Sequence, residues 1–242
     1  MILFKEVGKR FMKKIFILIT LFLATNLCFA NDEQKLEETA SIQSRMNNIG
    51  MKILNANRLN KRVVFVYDEK SKNKNLKSDK TITKRQVIMY ESLYKFIETE
   101  DELAAYVSRE IPAAIRSYQG LGNGILGTAK LKVAPKKYEL VFDKLAVDYM
   151  VKAGYNPLGL ITFINKTCPQ ARQDVFSNKN LTSKRLALIY ERIYMNYPYF
   201  LKNNDYLENE SYQNFLLTSQ KNRKLLESKI KTGNLDWEVN YE

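Results

Sequence analysis

The run Thr99-Glu100-Asp101-Glu102 restricts what this chain can become more than any other stretch of it. It has the form of a capping box, in which the Thr99 hydroxyl takes a first-turn amide and the Glu102 carboxylate reaches back to the Thr99 amide. A helix is therefore predicted to start there. Leu103, Ala104, Val107 and Ile111 continue it at helical spacing. Pro112 removes the donor that would bond the Ser108 carbonyl, which predicts a kink or an end, with Ala113 to Tyr118 resuming the helix.

Upstream, Ile42, Met46, Ile49, Ile53 and Leu54 recur at helical spacing within Leu36 to Asn57, with Gly50 as a mild weak point. Arg62 to Tyr67 and Gln86 to Tyr90 are short β-branched and aromatic runs of strand length, separated by a charged stretch, Asp68 to Lys80, read as a loop. Leu93, Tyr94, Phe96 and Ile97 share one helical face of Glu91 to Glu98. Downstream, a helix is predicted from about Tyr138 to Ala153 with Gly154 as its C-cap, and another over Leu158 to Asn165 opened by Asn156-Pro157 and ended by Cys168-Pro169. Thr182 or Ser183 is expected to cap a helix from Lys184 to Tyr197. Glu208 to Ile230 reads as one last polar helix, and Lys231 to Glu242 as a tail without pattern.

Composition bears on destination and partners. Met12-Lys13-Lys14, the apolar run Ile15 to Leu27 and Cys28-Phe29-Ala30 have the charge, length and small final residue of an export signal, with Met12 as the alternative start. Residues 1–30 are thus expected to be a signal peptide, 31–205 the main domain and 206–242 a polar helix and tail. An uncleaved signal would tie the protein to a membrane; cleavage would release it to the periplasm. Cys168 is then the one cysteine left, so no internal disulfide can form and the fold must rest on its apolar core. Lys and Arg outnumber Asp and Glu by 39 to 26, a net charge of +13, which favours anionic partners such as lipid head groups. No nucleic-acid partner is predicted. The match of Gly122-Asn123-Gly124-Ile125-Leu126-Gly127 to G-x-G-x-x-G follows a helical segment instead of a strand, so it is read as a connection and not as a dinucleotide site.

Three segments, in order, carry a resemblance to a known family. The first is Glu98 to Ala105 with Tyr106-Val107-Ser108-Arg109-Glu110-Ile111-Pro112-Ala113. The second is Glu139-Leu140-Val141-Phe142-Asp143 with Ala146 and Ala153-Gly154-Tyr155-Asn156-Pro157. The third is Ser177 to Arg185. Together they resemble the family M forty-eight metallopeptidases, gluzincins that include the HtpX-like and CAAX prenyl proteases. There the first segment reads TEDELAAVLAHEIAH, the second is an E-x-x-A-D helix with an A-G-Y-D-P ending, and the third has S-T-H-P before an arginine. The resemblance implies an α+β, mainly helical zincin-like domain with a small sheet.

In an H-E-x-x-H helix two histidines one turn apart bind zinc, and the glutamate between them is the general base for a zinc-bound water. Carried over, the resemblance puts Arg109 and Ala113 at the histidine positions, Glu110 at the base, Glu139 at the third ligand, Asp143 and Arg185 in support, and Lys179 at the histidine before the proline. This chain has no histidine at all. A guanidinium has no lone pair for a metal and alanine no ligand atom, so zinc, the family's cofactor, is not expected here. Arg109 is instead expected to neutralise Glu110, Glu139 and Asp143 as an ion-pair cluster. The function expected is that of an exported, catalytically inactive peptidase-like protein that binds polypeptide or an envelope partner in the former cleft. Two alternatives stand beside it: an active metalloendopeptidase with a nonstandard metal site, and a basic periplasmic protein docking on anionic lipid or lipopolysaccharide.

Overall fold

The computed structural model describes residues 35–69, 85–122, 135–168, 181–233 and 239–242. The expected signal segment, nearly all of the charged loop after Asp68, most of the glycine-rich connection and Lys179 lie outside them. The chain divides into two units, Met1–Ser44 and Arg45–Glu242. Of the first, only residues 35–44 are described, and they are helical.

The fold is α+β and mostly helical. Helix α1 (residues 35–56) is followed by strands β1 (Val64–Asp68) and β2 (Gln86–Tyr90), then by a short α2 (Glu91–Tyr94), α3 (Glu100–Gly122), α4 (Pro135–Lys152), α5 (Leu158–Thr167), α6 (Leu181–Asn196), α7 (Tyr199–Lys202), α8 (Glu210–Thr218) and α9 (Gln220–Lys231). The strands pair in parallel, Val64 opposite Gln86 through Asp68 opposite Tyr90. Pairing begins where the Val64 amide meets the Arg85 carbonyl, 3.2 Å away, so β1 starts two residues later than its apolar run suggests.

Helix α3 is the centre of the second unit. Nearly every residue from Glu102 to Ala114 is buried, as expected of a helix enclosed on all sides rather than lying on a surface. It packs against β2, α4 and α5; α6 packs on α4 and α5, and α8 on α5. At its N-terminus the Glu102 amide donates to Thr99 Oγ1 at 3.2 Å, as the capping box predicts. The Glu102 carboxylate, however, takes the amide of Glu98 (2.8 Å) and not that of Thr99. To present that amide the chain must turn before the helix begins, which is why α2 stops at Tyr94 and 3.1 Å and 2.8 Å turn bonds, Phe96 to Leu93 and Ile97 to Tyr94, replace the longer helix expected over 91–98.

Pro112 does not end α3, which is assigned as one helix from Glu100 to Gly122. Burial on every side outweighs the missing hydrogen bond and the clash of the proline ring with the preceding turn, together about 3 kcal/mol. Helix α4 closes in a Schellman motif: the Tyr155 amide bonds the Met150 carbonyl (2.9 Å), the Gly154 amide bonds that of Val151 (3.0 Å), and Gly154 has φ +76°. This is the C-cap expected at Gly154.

Near the end of the chain, the single helix expected over 208–230 is two, broken at Ser219. The Thr218 hydroxyl bonds back to the Asn214 carbonyl at 2.9 Å, a local alternative to continuing the helix. Helix α6 already includes Leu181, so Thr182 and Ser183 lie within its first turn and do not cap it. Tyr206, Tyr212 and Phe215 share the core formed by α3 and α5. Val239 and Tyr241 are buried against Ala187 and Leu226, so the end of the tail is packed despite its lack of sequence pattern.

Candidate functional site

A helix enclosed on all sides must pair whatever charge it carries, because an isolated buried ion costs several kcal/mol. Among the described side chains of helix α3, three buried residues are charged, Glu102, Arg109 and Glu110. Glu102 meets Lys166 (2.7 Å) and the Thr162 hydroxyl (2.7 Å) of α5. Arg109 and Glu110 lie further along, and Arg109 reaches Asp143 of α4.

Arg109 donates from Nε to Asp143 Oδ1 at 3.0 Å and from an Nη to Glu110 Oε1 at 2.7 Å. Arg185, from α6, grips the same aspartate with two bonds, Nε to Oδ2 at 2.6 Å and Nη2 to Oδ1 at 2.9 Å. All four side chains are at least 95% buried. Arg185 also approaches the thiol of Cys168, 3.4 Å away, which is buried and unbridged. Thus α3, α4 and α6 are pinned together by one carboxylate between two guanidiniums. The bidentate Arg185–Asp143 pair is the strong, geometrically specific form of such a contact.

Electrostatics separates the two buried acids. Burial alone would raise Asp143, but Arg185 and Arg109, by charge and hydrogen bonding, more than reverse this and hold its carboxyl below the ordinary value. For Glu110 burial wins: its carboxyl is raised despite the Arg109 contact, with Asp143 and Glu139 adding like charge. Burial lowers both arginines, and Arg185 adds like charge at Arg109, but the neighbouring carboxylates more than reverse this, so the net shift of each guanidinium is upward. Tyr106, which donates to the Ile88 carbonyl of β2 at 2.5 Å, is buried and raised well above its ordinary value by burial first and Glu110 second.

Of the residues expected in the site, the structure brings Arg109, Glu110, Asp143 and Arg185 into direct contact. Glu139, one turn before Asp143 on α4, is half-buried and close enough to act electrostatically on Arg109, Glu110 and Arg185. Ala113 is buried one turn beyond Arg109. Lys179 lies outside the described residues. The Cys168 thiol and the Tyr106 hydroxyl were not anticipated as neighbours. A cysteine just after a helix and a tyrosine one turn before the motif are ordinary core residues in sequence, and only the fold reveals where they lie.

The donor set does not fit zinc. Arg109 and Ala113 offer no lone pair, while Glu110 Oε1 and both Asp143 oxygens already accept guanidinium hydrogen bonds. Among the described residues no three His, Cys, Asp or Glu side chains are grouped to hold a metal ion. Glu110 is 3% exposed and accepts from Arg109 through Oε1. What this arrangement does chemically is hold three helices in register. No helix among the described residues is long and apolar enough to cross a membrane. No family model, curated protein or solved structure matches this chain.

Proposed function

We propose that this chain is a noncatalytic protein on a zincin-like, gluzincin-type frame, exported to the periplasm, where it binds polypeptide or an envelope partner in the cleft that in such peptidases holds substrate. The observation that carries this reading is the position of Arg109, its guanidinium spanning Glu110 and Asp143 where the resemblance places a metal ligand. Element order supports it as well. A small sheet precedes a buried motif helix, a second helix supplies Glu139 and Asp143, and a third supplies Arg185. Positive charge has taken over the neutralising role of a metal, so the frame persists while the chemistry is lost.

The test is incubation of the purified chain with unfolded casein. Saturable binding without cleavage, unchanged in Glu110→Gln, is expected. Cleavage abolished by Glu110→Gln would overturn the noncatalytic reading, and failure to bind would remove the polypeptide partner. The net charge of +13 favours a second reading, docking on anionic lipid. Salt-sensitive binding to anionic vesicles, indifferent to Arg109 and Glu110 substitutions, would distinguish it.

A further inference from the structure

Away from the buried cluster, helices α4 and α6 flank a half-open groove of about 510 Å3 that also reaches Lys229 of α9 and Val239 of the tail. Its wall on α4 is the stripe Leu140, Val141 and Lys144, one position round the helix from Glu139 and Asp143. The contacts Asp143–Arg185 and Asp148–Arg192 advance in the same sense along both helices, so the two run side by side with the groove between them.

Four cations and one carboxylate, Glu191, line the groove. Two cations there are already matched: Arg192 pairs with Asp148 at 2.8 Å and Lys229 with Glu191 at 2.7 Å. Lys144 and Lys184 also line it and form no ion pair among the described residues. Two positive charges therefore remain beside apolar walls, with Val141 42% and Met195 37% exposed and Leu188 half-buried between the helices. The volume belongs to the class of small-ligand sites, roughly 300–1,000 Å3. A stable protein interface instead covers about 800 Å2 on each partner.

We propose that this groove is a binding site for a small single-chain amphiphile with an anionic head group, carboxylate or phosphate. Lys144 and Lys184 hold the head, and the apolar tail lies along Val141, Leu188 and Met195. The groove lining includes none of Arg109, Glu110, Asp143 and Arg185, and the proposal does not depend on the noncatalytic reading.

The full-length chain is titrated calorimetrically with dodecanoate, dodecyl phosphate, dodecyltrimethylammonium, inorganic phosphate and a hexaglutamate peptide, all below micellar concentration. Saturable binding of one or both anionic amphiphiles is expected, and their relative affinities identify the preferred head group. The cationic amphiphile and inorganic phosphate should bind at least about tenfold more weakly, as should the anionic amphiphiles to Lys144→Ala/Lys184→Ala, since each loses either the charge-assisted contacts or the apolar tail. Val141→Asp, an exposed position whose substitution does not touch the core, should weaken binding in the same direction. The proposal is overturned if neither anionic amphiphile binds, if both variants bind them as the parent does, or if the cationic amphiphile binds equally. Capture of hexaglutamate alone would assign the groove to acidic polypeptide and overturn it as well.

Discussion

Asp143 accepts three guanidinium hydrogen bonds and Glu110 one, and this asymmetry predicts how each tolerates loss of charge. Asp143→Asn leaves two buried guanidiniums short of a counter-charge and should cost about 3–5 kcal/mol, the usual penalty for breaking a buried pair from one side. Glu110→Gln resembles the protonated acid that burial already favours and can still accept from Arg109, so it should change stability by less than about 1 kcal/mol. Urea unfolding of the two variants checks both. The pH dependence follows from the opposite shifts. Asp143 is depressed below its ordinary 3.8, so its contribution is complete above that value and is lost as pH falls from there through the lower native value. The gap between parent and Asp143→Asn should therefore narrow below about pH 4. Glu110 is raised above its ordinary 4.5, so its effect has the other sign. Protonated Glu110 favours the fold below that value, and the gain disappears as pH rises through its native value, which leaves the parent near pH 7 no more stable than Glu110→Gln on this account.

Among the elements, helix α1 and strand β1 meet at Gly50. A Cβ on that residue would fall 2.3 Å from Phe65 Cζ, inside any permissible contact. Gly50 was expected to be a weak point of the helix, and by propensity alone alanine would be favoured by about 1 kcal/mol. Close approach to the Phe65 ring decides the opposite: Gly50→Ala should lower stability by about 1–3 kcal/mol, read as a fall in the thermal midpoint. That contrast marks what periodicity can and cannot convey. The spacing of Met46, Ile49, Ile53 and Leu54 announces the helix, and the residues of β2 are legible to their ends, because local pattern governs both. That β1 and β2 run parallel and that Pro112 is carried through depend on neighbours distant in sequence. The three segments of the resemblance bring Arg109, Asp143 and Arg185 to notice together. Nothing local to Cys168 or Tyr106 could have placed them beside the cluster, and the groove between α4 and α6 arises only once the helices lie side by side.

For the Arg45–Glu242 unit as a whole, stability rests on burial without disulfides, and the chain's last residues contribute to it. Tyr241, 1% exposed, fills a small apolar cluster with Ala187 and Leu226. Asn222 fixes the adjoining backbone from both sides, donating to the Glu242 carbonyl at 2.9 Å and accepting its amide at 3.1 Å. Tyr241→Ala should cost about 3–5 kcal/mol, in line with other deletions of a buried aromatic ring, and denaturant midpoints measure it. A polar tail with no recurring pattern concealed this, since a two-residue anchor is too short to show a period.

The proposed function requires Arg109 to supply the positive charge that a metal supplies in family M forty-eight metallopeptidases. The most direct measurement is the elemental zinc content of the purified full-length protein. Zinc far below one atom per chain, unchanged by Glu139→Gln, is the predicted result. One atom per chain, lost when Glu139 is replaced by glutamine, would contradict it.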